Sequence, residues 1–112
     1  MTLWHRTCAD GAEGIREDGM IRGNWHPILG VRLVWLTDRP NRSRASLGLT
    51  SWTLSCDRMA ALVRVDEHPE AVPWLEWCKA NPVGAAFNKA ASGDPRCWWV
   101  SPVPVVAAEV TP

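Results

Sequence analysis

The residues best suited to chemistry lie on the first short apolar stretch, where His5 and Thr7 are separated by one position. The segment Leu-Trp-His-Arg-Thr is typical of a β-strand, and residues i and i+2 of a strand point to the same side. An imidazole and a hydroxyl side by side can hydrogen-bond a ribose diol and a nearby amide. The pair therefore indicates a nucleotide site; a histidine with purely structural hydrogen bonds is the alternative.

A second strand is predicted from Val31 to Thr37, a run rich in β-branched and aromatic residues. The composition of this run indicates a strand that is buried on both faces. Trp35 lies within it, and the flat face of an indole can stack on a planar ligand. We therefore expect a ligand site between this strand and the His5 strand.

The first strand leads into a predicted helix from about Ala9 to Asp18. Asp10 is the expected N-cap, because Glu13 follows it at the capping-box spacing. Gly19 occupies the position after the helix, where a left-handed backbone is favourable and glycine adopts it without strain. The helix should bury only a thin apolar stripe.

The remaining elements predict the fold class. Residues 22–30 resemble a loop, and Asn41 or Ser43 could begin a short helix that ends at Gly48. Further strands are predicted near 49–56, 60–65, 97–101 and 103–110, with one helix at 73–80 and an ambiguous one at 83–91. This order lacks the regular alternation of a doubly wound parallel sheet. We therefore expect one α+β domain over residues 1–112, with a small split, mostly antiparallel sheet and two to three short helices.

The bulk composition excludes some function classes. Twelve basic and twelve acidic residues give a net charge of zero, so global electrostatics indicate neither a nucleic-acid nor a membrane partner. No signal peptide and no apolar run long enough for a bilayer are visible, so we expect a cytoplasmic protein. Eight tryptophans in 112 residues are either core residues or stacking surfaces.

Residues 3–38 resemble the opening of ADP-ribosyltransferase-fold proteins. That superfamily includes diphtheria-toxin-like transferases, rifamycin-modifying enzymes, DNA-modifying toxins and tRNA 2′-phosphotransferases. Its opening runs apolar-aromatic-His-x-Thr, then a helix with a buried Ile, a Gly and a short apolar exit. Leu-Trp-His-Arg-Thr and Gly-Ile-x-x-x-Gly-Met-Ile match that pattern here. Leu-Val-Trp-Leu-Thr matches the second strand, with Trp35 where the family often has Tyr, and the rest of the chain matches only by element order.

The resemblance implies that NAD is the substrate and that ADP-ribose is transferred to a protein, nucleic-acid or small-molecule acceptor. It implies that His5 and Thr7 hold the ribose next to the nicotinamide, and that Trp35 stacks on the nicotinamide. Thr37 and Arg39 complete the expected cofactor-binding set.

Several arginines are candidates for contacting phosphate. Arg39, Arg42 and Arg44 follow the second strand and could clamp a pyrophosphate or contact a nucleic-acid backbone, although a solvated polar loop is an equally valid interpretation. Arg58 and Arg64, which flank a strand, are secondary candidates for the same role.

Many members of the superfamily also use an acidic residue that stabilises the oxocarbenium ion or orients the acceptor. Glu109 is the first candidate and would act with His5 in catalysis; Asp57 and Asp66 are rivals. A solvated surface carboxylate is the alternative for all three. Without such an acid, the chain would be a non-enzymatic protein that binds a nucleotide or blocks a partner, for which a tryptophan-rich surface is suitable.

A metal site is the competing interpretation. His5-x-x-Cys8 has ligand-like spacing, but structural zinc sites usually show two such pairs, so we expect no metal. Without a secretory signal or a Cys-x-x-Cys motif, the four cysteines are expected to be small buried thiols.

Overall fold

The computed structural model describes residues 1–49, 56–91 and 93–112. Within these residues the elements follow in this order: β1 Leu3–Thr7, α1 Ala9–Asp18, β2 Met20–Ile21, β3 Asn24–His26, β4 Val31–Thr37, β5 Ala61–Val65, β6 Val72–Pro73, α2 Trp74–Ala80, α3 Pro82–Ala90, a 3-10 turn Pro95–Cys97, β7 Trp98–Ser101, β8 Val105–Val106 and β9 Glu109–Thr111. None of these helices has the length and apolar character that a bilayer span requires.

Seven strands form one sheet in the order β6-β7-β4-β1-β5-β9, and β3 pairs with β4 outside this sequence. β2 and β8 form a separate two-stranded ribbon. All described strand pairs are antiparallel. The expected α+β class, with a mostly antiparallel sheet and short helices, is confirmed.

The two faces of the sheet are covered by two hydrophobic clusters. Because Trp4 of β1 pairs with Thr37 of β4, the side chains of Leu3 and Leu36 lie on the opposite face of the sheet. That face carries the first cluster: Leu3, Ile15, Ile21, Val34, Leu36, Val63, Val65 and Val105. The other face carries the second cluster: Leu29, Leu33, Trp74, Cys78, Cys97, Trp98 and Val100. α1 covers the first cluster with Ile15, and α2 covers the second with the fully buried Trp74.

The predicted limits of α1 are correct, but its predicted cap is wrong. Cys8 is the N-cap, and its Sγ accepts a hydrogen bond from the amide of Gly11 at 3.5 Å. Asp10 lies inside the first turn instead, because β1 ends at Thr7 and the helix begins only two residues later. Gly19 ends the helix with φ of 74°, and its amide donates to the carbonyl of Ile15 at 2.7 Å, as predicted.

Two other predictions need correction. The expected loop 22–30 contains β3, which forms a hairpin with β4 through a turn that ends at Gly30 with φ of 71°. No helix forms in residues 41–48; turns lead to Gly48, where φ is 72°. Most of the strand predicted at 49–56 lies outside the described residues.

Candidate functional site

A cavity of about 670 Å³ lies where β1 and β4 separate. β1 pairs with β5 at five positions, but within the described residues it pairs with β4 only through Trp4 and Thr37. The lining includes the continuous stretches 4–7 of β1 and 33–37 of β4. A cavity of this size is typical of small-molecule sites.

His5 bridges the gap between the two strands. Its Nδ1 lies 2.7 Å from the main-chain carbonyl oxygen of Trp35. Since a carbonyl only accepts, Nδ1 carries the proton and Nε2 is left as an acceptor. Burial lowers the pKa of His5, and although the bond to Trp35 raises it, the nearby charge of Arg58 lowers it further. The imidazole is therefore neutral near pH 7 and can accept a hydrogen bond from a ligand hydroxyl.

Thr7 lies on the same side of β1 as His5 and lines the same cavity. Its side chain is buried, and the first turn of α1 passes directly over it. A Cβ on Gly11 would collide with the Thr7 hydroxyl, so only glycine allows this approach. The packing of α1 thus holds the Thr7 hydroxyl beside the imidazole.

Trp35 and Thr37 reach the cavity from the other face of the sheet. The Trp35 indole packs against Trp74 and Trp98, with ring centroids 4.8 and 6.1 Å away. The Thr37 hydroxyl accepts a hydrogen bond from the amide of Arg39 at 3.0 Å. Both residues line the cavity, so the separation of β1 and β4 brings two pairs of predicted site residues together.

Arg39 does not line the cavity. Its side chain is exposed, and Nε lies 3.8 Å from the carboxylate of Asp38. The described lining contains three other arginines, Arg6, Arg22 and Arg58. Sequence reasoning missed the first two and ranked the third below Arg39.

The candidate acids also lie outside the cavity lining. Glu109 is exposed on the edge strand β9, and its carboxylate lies 2.8 Å from Nη1 of Arg64. Asp66 is 3.3 Å from the Nε of the same arginine, and Asp57 is 2.7 Å from Nη1 of Arg44. All three carboxylates are exposed and paired with arginines, and no Asp or Glu belongs to the described lining.

No cluster of three or more His, Cys, Asp or Glu side chains suited to a metal ion occurs in the described part of the chain. Cys8, which has ligand-like spacing from His5, instead accepts a hydrogen bond from the amide of Gly11. All four cysteines are free thiols; Cys78 and Cys97 are buried as expected, whereas Cys8 and Cys56 are only half-buried.

Comparison with known proteins returned no matching family model, curated protein or solved structure. What the chain does is inferred from the cavity and from the resemblance of residues 3–38.

Proposed function

We propose that the chain binds NAD in the cavity and transfers its ADP-ribose to an acceptor, as a toxin-like ADP-ribosyltransferase does. One observation carries the proposal: His5, Thr7, Trp35 and Thr37, which the resemblance assigns to NAD, all line one cavity. The separation of β1 from β4 makes room for a ligand between the strands that carry these residues. The acceptor is a protein, a nucleic acid or a small molecule.

The polar side of the cavity suits a ribose. Nε2 of the neutral His5 accepts a hydrogen bond from one ribose hydroxyl, and the Thr7 hydroxyl can donate to or accept from the next polar atom. On the other side, Trp35 offers an indole that Trp74 and Trp98 already hold in place. A pre-positioned ring loses little side-chain entropy when a nicotinamide stacks on it.

In the proposed reaction, the bond between the ribose C1′ and the nicotinamide nitrogen breaks, and its electron pair leaves with nicotinamide. A lone pair of the acceptor forms the new bond to C1′, and the acceptor then releases its proton to solvent. His5 and Thr7 orient the ribose for this displacement.

A non-enzymatic nucleotide-binding or partner-blocking protein is the second candidate. It is favoured by one observation: the described cavity lining contains no carboxylate that could stabilise positive charge on the ribose. Such a protein would bind the same nucleotide through the same residues without releasing nicotinamide.

The two candidates can be separated with purified protein and NAD. Calorimetry measures NAD affinity, and chromatography follows nicotinamide release in the wild type and in His5→Ala. His68→Ala is the matched control, because His68 lies outside the cavity and contacts the carbonyl of Met1. Release that His5→Ala alone abolishes supports the transferase. Binding without release, weakened by His5→Ala alone, supports the second candidate.

Wild-type protein that does not bind NAD, or binding that His5→Ala leaves unchanged, would contradict both candidates. Circular dichroism melting of both variants shows whether a loss of binding reflects a loss of fold.

A further inference from the structure

Arg58 carries a buried donor that nothing in the described structure uses. The residue lines the cavity and is half-buried. Its Nε is shielded from solvent and has no hydrogen-bond partner among residues 1–49, 56–91 and 93–112. Leaving a buried donor unpaired is unfavourable, so an acceptor from outside the chain would relieve a cost that the folded protein already carries.

The charge of Arg58 is also uncompensated within the described residues. Seven other cations each have a carboxylate within 4.0 Å: Arg16, Arg22, Arg39, Arg44, Arg64, Lys79 and Arg96. Arg58 instead lies near the His5 imidazole and the thiols of Cys8 and Cys56, whose pKa values its charge lowers. The neutral imidazole of His5 carries no charge that could offset the guanidinium.

The other two arginines of the cavity are already engaged. Arg6 donates from Nη2 to the carbonyl of Pro40 at 2.9 Å, and Arg22 pairs with Asp18 at 2.7 Å. Among the three arginines of the cavity, Arg58 is therefore the one with a buried donor that has no partner in the described residues. The described lining contains no Asp or Glu that could accept from it.

We propose that Arg58 forms an anion subsite that takes the diphosphate group of the bound nucleotide. The guanidinium fork matches two phosphate oxygens, which would supply both the missing acceptor and the missing counter-charge. A single carbon joins the ribose of a nucleotide to its phosphate, so the two subsites must be neighbours. Arg58 meets this requirement, because it lines the same cavity as His5, the residue proposed to hold the ribose. The assignment to a nucleotide diphosphate rests on the proposed function, whereas the anion subsite does not.

The test uses inorganic diphosphate as a probe that contains neither ribose nor base, with ADP-ribose and NAD measured in parallel. Calorimetry at low salt gives affinities for the wild type, Arg58→Gln, Arg58→Lys and Arg16→Gln. Arg16→Gln removes the same charge from the exposed face of α1, outside the cavity. We expect Arg58→Gln to weaken the affinity for inorganic diphosphate at least about ten-fold, the loss typical of a charged hydrogen bond. Arg58→Lys should give an intermediate affinity, and Arg16→Gln should match the wild type.

A second measurement follows the unpaired Nε–H donor of Arg58 directly. In a ¹H–¹⁵N spectrum of the wild type, the Arg58 Nε–H signal, assigned by its absence from Arg58→Lys, should shift when inorganic diphosphate is added. Equal affinity in Arg58→Gln and Arg16→Gln, an unmoved signal, or wild-type protein that does not bind inorganic diphosphate would each overturn the subsite. Diphosphate binding that depends on Arg58, without NAD binding, would keep the subsite and remove the proposed function.

Discussion

Nδ1 of His5 lies 2.7 Å from the main-chain carbonyl oxygen of Trp35 and so joins β1 to β4 through a side chain. Among the described residues, Trp4 and Thr37 form the backbone pair between these two strands, and His5 bonds to β4 beyond it, where the strands have separated. The imidazole therefore does two things at once. It supports a gap in the sheet, and it presents its second nitrogen to the cavity that the gap creates.

The buried imidazole makes the fold sensitive to acid. Because burial lowers the pKa of His5 below its usual 6.5, the unfolded chain takes up a proton at a pH where the folded chain does not. Stability should therefore fall as the pH drops from 6.5 through the pKa of the folded state. His26 contributes in the same direction, since burial lowers its pKa too.

Melting temperatures measured from about pH 7.5 to about pH 5 test this linkage in the wild type and in His5→Asn. The variant should have a lower melting temperature at neutral pH but a shallower dependence on pH. Parallel curves for the two proteins would show that His5 does not carry the effect.

Gly11 and Gly14 lie one turn apart in α1 and should respond to alanine in opposite ways. At Gly11 the new methyl group would meet the Thr7 hydroxyl, whereas at Gly14 nothing lies within 4 Å. Gly14→Ala should stabilise the protein by about 0.5–1 kcal/mol, because alanine is the better helix former. Gly11→Ala should destabilise it by about 1–3 kcal/mol through overpacking.

Urea unfolding monitored by tryptophan fluorescence gives both free energies. Gly11→Ala should also weaken NAD binding, because Thr7 must rotate or move to accept the methyl group. If Gly11→Ala is as stable as Gly14→Ala, α1 does not hold Thr7 in place.

Cys8 should be the most reactive of the four cysteines. The thiol of Cys56 donates a hydrogen bond that lowers the pKa of Cys8, and the amide of Gly11 acts in the same direction. Burial instead raises the pKa of both Cys78 and Cys97. At neutral pH, iodoacetamide should therefore modify Cys8 at least about ten-fold faster than Cys97.

Peptide mass spectrometry at timed intervals identifies each modified residue. Cys8→Ser should remove the fast phase, while Cys97→Ser should leave it intact. Fast modification of Cys97 in the folded protein would contradict the burial that the structure assigns to it.

Glu109 is expected to be dispensable for any release of nicotinamide. Its carboxylate is exposed and engaged by Arg64, and it does not line the cavity. Glu109→Gln should change the release rate by no more than about two-fold, whereas loss of a catalytic acid or base typically costs about 10²–10⁴-fold. Arg64→Gln, which removes the other partner of the ion pair, is the matched control. A loss of several orders of magnitude in Glu109→Gln alone would restore Glu109 as the catalytic acid.

Local signals in the sequence predicted much of the fold. The β-branched run Val31–Thr37, the glycine after α1 and the proline before α2 each identify an element, because they act through neighbouring residues. The failures involve interactions that short-range rules do not cover. Cys8 caps α1 although sulfur is a weak acceptor, and β3 is a three-residue strand stabilised mainly by its pairing with β4.

The residues of the candidate site were likewise predicted only where a local sequence pattern determines their position. Because side chains alternate between the two faces of a strand, the sequence predicts that His5 and Thr7 point to the same side, and both line the cavity. Arg39 directly follows β4 in the sequence, but its amide donates to the Thr37 hydroxyl and its side chain lies at the surface. Arg58 lies between β4 and β5 in the chain and also lines the cavity, a long-range placement that no local sequence pattern predicts.

Within the described residues, Trp4–Thr37 is the one backbone pair between β1 and β4, so it joins two half-sheets, β6-β7-β4 and β1-β5-β9, with few hydrogen bonds between them. A ligand in the cavity would touch Val34 of the first cluster and Trp35 of the second at the same time. Ligand binding would therefore stabilise the contact between β1 and β4, where the sheet has few hydrogen bonds. Occupancy of the cavity would therefore be visible as slower hydrogen exchange at the β1 amides that point towards β4.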